Sequence, residues 1–225
     1  MYKRFSVAVL SGALFLAGLS AQANPPLTLG EQFALRSYTG QAMGLALTDV
    51  VKAKRVGILT NQSSICASLT GAMGAQIVAK AQDKGGAALQ VAALANAEDA
   101  ARAYAAVKEQ EAVALIFGGQ TPAEENYALL KASLRELAAN AYPGAIFLHV
   151  RVWLPKMAQR AAAEDAQIAQ YLAGKKNLYT VTVDAAKGKA LVHQVSIDAN
   201  EQRSAKVLHE VSMNDTWLGL FKRSI

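Results

Sequence analysis

Four short segments carry side chains that could do chemistry, and each follows an apolar run. Thr60-Asn61-Gln62-Ser63-Ser64 offers two amides and three hydroxyls, Ala95-Asn96 one amide, and Gly118-Gly119-Gln120-Thr121 a flexible backbone with an amide; Arg151 to Lys156 adds cations. The helical pattern after Asn61 has no acid until Asp83. Its first N–H groups, with the hydroxyls of Ser63 and Ser64, are therefore free to hold a carboxylate or phosphate, and Arg151 or Lys156 would supply the countercharge. The helical patterns after Asn96 and Gly119 begin with Glu98, Asp99, Glu124 and Glu125. Acids there already occupy the positive helix end and repel an anion. The expected site is a small-anion pocket built from Asn61, Ser63, Ser64, Gly119, Gln120 and Arg151. The competing expectation is that Ser63 or Ser64 only caps its helix.

Nucleophilic and metal chemistry have less to work with. Cys66, the single cysteine, lies early in the same helical pattern. A helix N-terminus can activate a thiol, but a small apolar packing role fits an Ala-rich helix as well. His193 shares strand parity with Leu191, Val195 and Ile197, His149 sits in a buried-strand pattern, and His209 lies near the C-terminus. The first two read as core histidines, and the three have no metal-ligand spacing. Neither HExxH, CxxC, GxSxG, GxxxxGK[ST] nor GxGxxG occurs, which removes the commonest hydrolase, metalloprotease and nucleotide classes. No cofactor is expected. Trp217, Leu218, Leu220 and Phe221 cluster after Asn214-Asp215. They either dock on their own domain or, through Trp217 and Phe221, anchor a partner.

The elements that must position these groups alternate. Val56–Leu59, Leu89–Leu94, Ala112–Phe117 and Ala145–Val152 are apolar runs without polar alternation, the pattern of strands buried on both faces. Ala-rich helical stretches separate them, so βαβ units and a mostly parallel sheet are predicted. Asn96 with Asp99, and Thr121-Pro122 with Glu124, mark helix starts; Gly85-Gly86 marks an end. Pro155 opens a helix that Gly174 closes, Gly71-Ala72-Met73-Gly74 allows close helix packing, and residues 29–52 form a helix ahead of the first strand. Leu178–Val183 and Lys189–Ile197 form a hairpin across Ala185-Ala186-Lys187-Gly188, and a closing helix is predicted from about Asn200 to Phe221. Trp153 and Tyr142 flank the fourth strand, where they could line a cleft or fill the core. The expected fold is a single three-layer α/β domain over residues 24–225, ending in a β-hairpin and a C-terminal helix.

Residues 1–23 are read as a cleaved secretory signal peptide. Lys3 and Arg4 precede the apolar run Phe5–Leu19, and Ala21-Gln22-Ala23 supplies the small-x-small cleavage pattern. Its removal takes two positive charges from a chain of 225 residues with net charge +6. No dense basic stripe remains, so a nucleic-acid partner is not expected. A content of 52% hydrophobic and 18% charged residues excludes a disordered chain. Export to a bacterial periplasm follows, with no membrane-spanning segment in the mature chain.

Two resemblances bear on function. Lys54-Arg55-Val56-Gly57-Ile58-Leu59-Thr60-Asn61-Gln62 is similar to the opening strand of a family of exported peptidoglycan-amidosugar hydrolases, but no acidic–His motif follows the second strand. Lys189-Ala190-Leu191-Val192-His193-Gln194-Val195-Ser196-Ile197-Asp198-Ala199-Asn200, after a hairpin and before a helix, resembles the close of YfiR-type periplasmic proteins. That resemblance implies an α/β domain that represses a membrane-bound diguanylate cyclase through protein contacts. The helix from Pro155 to Ala173 is extra here, Cys66 alone permits no disulfide, and no functional residue carries over. The expected function is an exported, non-catalytic protein that binds an envelope or inner-membrane partner, with or without a small ligand, in signalling or transport. The alternatives are a solute-binding component of an ABC-type transporter and a periplasmic enzyme using His149 or Cys66.

Overall fold

The computed structural model describes residues 25–81 and 88–224. The proposed signal peptide and Gly85-Gly86 lie outside these residues. Thr28 starts α1 (Leu29–Leu45) with a capping box: its hydroxyl accepts from Glu31 N–H, and its own N–H donates to Glu31 Oε2 at 2.8 Å. One π turn (Ala46–Val50) leads to β1 (Val56–Asn61), α2 (Ser64–Lys80) and β2 (Leu89–Leu94). A short 3-10 turn capped by Asn96 precedes α3 (Ala100–Val107), β3 (Ala112–Ile116), α4 (Ala123–Ala139) and β4 (Ala145–Leu148). Next come α5 (Val150–Trp153), α6 (Met157–Glu164), α7 (Ala166–Gly174), β5 (Leu178–Asp184), β6 (Lys189–Ile197), β7 (Gln202–Ser212) and α8 (Asp215–Arg223).

The seven strands form one sheet in the order β2-β1-β3-β4-β5-β6-β7. Strands β1 to β5 pair in parallel, and β5, β6 and β7 pair antiparallel. The order reverses at β1. Right-handed crossovers therefore send α2 to one face and α3 to the other. Val56 and Ile58 pack with Leu35, Met43, Leu69 and Trp217 on the α1/α2/α8 face. Leu59 packs with Val107, Leu130 and Leu134 on the α3/α4 face. The three central strands β1, β3 and β4 are buried along their whole length, which is why they read as unbroken apolar runs. The three-layer α/β fold, the hairpin and the C-terminal helix are present as expected. No helix among the described residues is long and apolar enough to cross a membrane.

Local departures have local causes. β4 stops at Leu148, because His149 caps α5 and turns the chain into a helical turn. The helix expected from Pro155 to Gly174 is split at Asp165, whose extended backbone ends α6 while its carboxylate accepts from Gln167 and Ile168 N–H to start α7. Pro122 is the cap of α4 rather than its first residue, and Thr121 turns its hydroxyl to Asn61 instead. Gly40 and Gly44, not Gly71, seat α1 against α2: a Cβ at Gly40 would collide with Leu69 O, whereas Gly71 faces open space and Gly74 lies against Leu89. Half of the expected closing helix is strand β7, and only its last part, from Asp215, is helical. The β7 backbone pairs with β6 from Lys189↔Ser212 to Ile197↔Gln202, and this tertiary ladder overrides local helix preference.

Candidate functional site

Register aligns the carboxyl ends of the central strands. Thr60 pairs with Ile116, and Leu115 with Leu148, so Asn61, Phe117 and His149 follow one another along the sheet edge. Asn61 ties this edge together. It is 3% exposed, and its amide donates to Asn126 Oδ1 (2.7 Å) and Gly118 O (2.8 Å), with Thr121 Oγ1 at 3.1 Å. Its Oδ1 accepts from Ser63 N–H at 3.1 Å. Ser63 caps α2: its hydroxyl accepts from Cys66 N–H and Gln120 N–H, each at 3.4 Å. Gly119 has φ +72°, and a Cβ there would collide with Ser63 Oγ. Only glycine combines that left-handed backbone with so close an approach. Ser64 Oγ reaches Gln120 Oε1 at 3.4 Å.

The structure thus gathers Asn61, Ser63, Ser64, Gly119 and Gln120 into one cluster, as expected, but they spend their polar groups on one another. Asn61, Ser63 and Gln120, but not Ser64 or Gly119, border a crevice of about 660 Å³ on the α3/α4 face, where Glu125 is the only charged residue among those described. The capping role of Ser63 is what the geometry shows. Arg151 is not part of this crevice. A Cβ on Gly118 would touch Arg151 Cβ at 3.3 Å, but the arginine lines a different cavity on the α1/α8 face. Lys156 starts α6 with a left-handed backbone (φ 56°) and lines neither cavity. An anion pocket combining Ser63 with Arg151 is therefore corrected to two separate cavities. The cause is that a sheet edge has two faces: α5 buries Val152 and Trp153 in the α3/α4-side core, which leaves Val150 and Arg151 lining the cavity on the other side.

The second cavity measures about 300 Å³. Arg36 and Thr39 of α1, His149 at the cap of α5, Arg151 of α5 and Ser224 after α8 supply its polar wall. Val181, Val183 and Ala190 of the hairpin and Trp217 and Phe221 of α8 supply much of its apolar wall. Arg36 is half-buried, and burial lowers the pKa of its guanidinium, with the Arg151 charge beside it acting the same way. Among the described residues neither arginine has a carboxylate partner. Reading the sequence missed Arg36, although it is the only charge between Glu31 and Asp49 in that first helix. His149 is 3% exposed, and burial, reinforced by Arg36 and Arg151, lowers its pKa to about 3. It stays neutral, and its Nδ1 is buried without a partner.

The remaining candidates settle into structural roles. Burial raises the Cys66 thiol above its ordinary pKa, outweighing its hydrogen bond to Ser63 and the charge of Arg36. This leaves a packed small hydrophobe and a poor nucleophile. His193 is held by Thr182 Oγ1 (2.7 Å) and Ser204 Oγ (2.6 Å). His209 is exposed on β7 rather than on a closing helix. Tyr142 and Trp153 fill the α3/α4-side core. Trp217 is 5% exposed and stacks on Tyr38, with ring centroids 6.1 Å apart. It docks on its own domain and is not an exposed anchor; Phe221 is half-buried beside it. An ion pair between Arg223 and Glu31 fastens α8 to α1.

No curated protein matches the chain. A protein-family model described as "Uncharacterized protein" matches residues 32–220, from within α1 to within α8, and the chain belongs to that family.

Proposed function

We propose that this protein is an exported, non-catalytic binding protein that takes a small organic anion at the carboxyl edge of its sheet, between α1, α5 and α8, in envelope signalling or transport. One observation carries the reading: Arg36 and Arg151 line a common cavity with no carboxylate partner among the described residues. Two guanidiniums held together repel, and a partly buried one loses hydration. An anion relieves both costs and accepts the forked N–H donors. Export is supported by Lys3, Arg4, the apolar run and Ala21-Gln22-Ala23.

A thermal-shift screen tests it, with acetate, benzoate, succinate and inorganic phosphate as probes. At least one should raise Tm in proportion to ln(1 + [L]/Kd), and Arg36→Met and Arg151→Met should each abolish the rise. A flat response to every probe refutes the reading.

An envelope protein partner is a second reading, favoured by β7. Among the described residues this strand pairs only with β6, which leaves its outer backbone edge available for strand addition. A photo-crosslinker at exposed Val207 in living cells should capture one membrane protein reproducibly, and Val207→Pro should lose it. Failure to capture any membrane protein counts against this second reading alone.

A further inference from the structure

We infer that the ligand is a small amphipathic carboxylate, with its charged end between Arg36 and Arg151 and an apolar body lying along Val181, Val183, Trp217 and Phe221. This rests on the anion-binding reading above and names the class of anion. The lining is asymmetric. Both cations come from α1 and α5, whereas the hairpin contributes Val181, Val183 and Ala190, and α8 contributes Trp217 and Phe221. Among the described residues, Thr39, His149, Ser224 and the indole N–H of Trp217, which is buried without a partner, are the only other polar lining groups. A phosphate or sugar acid would set hydroxyls or extra charge against walls with few partners, at the cost of an unmade hydrogen bond for each. An alkyl or aryl body removes the same walls from water. His149, kept neutral by burial, adds no third cation, so the cavity presents two positive charges to a single anionic end. A cavity of about 300 Å³ lies at the small end of ligand sites, which suits a short chain or one ring and excludes a whole lipid.

Calorimetric titration of the full chain with acetate, butyrate, hexanoate, octanoate and inorganic phosphate separates head from body. Each added CH₂ should tighten binding about fourfold, the equivalent of about 0.8 kcal/mol, until the cavity is filled. Arg36→Met should weaken every carboxylate by at least about tenfold while leaving the gain per CH₂ intact. Phe221→Ser, on the half-buried side of α8, should flatten that gain without weakening acetate; circular dichroism verifies that both variants are folded. If phosphate and acetate bind as tightly as hexanoate, the amphipathic class is overturned and anion binding stands. If no probe binds, both readings fall together.

Discussion

Two cavities lie at the same sheet edge, one on each face, and they handle polarity in opposite ways. The crevice on the α3/α4 face sits where the strand order reverses between β1 and β3, the usual ligand position in such sheets. Yet Asn61, Ser63 and Gln120 there are hydrogen-bonded to one another and to the backbone. The cavity on the α1/α8 face has fewer polar groups, but its two cations are left without carboxylate partners among the described residues. Polar groups that satisfy one another hold a loop in place; the two arginines, one half-buried and one exposed, have no such partners. Residue type alone does not distinguish the two, since the first cavity has the richer side chains.

Substitutions can break or sharpen this contrast. The largest effect is expected from Asn61→Leu, which strands Ser63 N–H and Asn126 Oδ1 and leaves Gly118 O only its longer bond from Asn126 Nδ2: a loss of about 4 kcal/mol in urea denaturation. A loss below about 1 kcal/mol would show that the crevice network is not structural. His149 comes next. Its folded pKa of about 3 lies below the ordinary 6.5, so the unfolded chain binds the proton first. Stability from this residue is complete above about pH 6.5 and declines as pH falls towards 3, by about 3 kcal/mol at pH 4. His149→Phe should remove that part of the acid sensitivity in unfolding curves between pH 7 and 4; an unchanged slope would place the sensitivity elsewhere. Gly119→Ala should cost about 2 kcal/mol through its left-handed backbone and the collision with Ser63 Oγ. Arg36→Met should change stability least, within about 1 kcal/mol and in the stabilising direction, because it removes a repulsive, partly desolvated charge. Strong destabilisation there would make Arg36 part of the architecture and erase the distinction between the two faces.

What could be read from residues alone follows burial. β1 and β3 are legible because a strand buried on both faces advertises itself as an apolar run; β2 reads the same way but is the edge strand, and only Ala92 and Leu94 of it are buried. β7 is not legible, because nearly all its residues are exposed or half-buried; only the ladder to β6 makes it a strand, and a ladder is invisible from one segment. The clustering of Asn61, Ser63, Ser64, Gly119 and Gln120 is foreseeable from their loops' place after the carboxyl ends of parallel strands, although the strand order is not. The direction of Arg151 is not either: β4 ends at Leu148 and α5 starts at once, so strand parity stops applying two residues before the arginine. Arg36 sat in a helix read only as scaffold, although a lone cation in an apolar helix is a signal in itself.

The clasp between α1 and α8 has a consequence for how the cavity comes into being. Glu31 and Arg223 are 192 positions apart, and the walls carrying Arg36 and Trp217 come from nearly opposite ends of the domain. A polypeptide that emerges N-terminus first, from a ribosome or a translocation channel, presents α1 long before α8 exists. Closing such a separation is slow and comes late in folding. The cavity therefore belongs to the finished molecule alone, and a chain cut before Asp215 would keep the seven described strands and lose the wall that Trp217 and Phe221 supply.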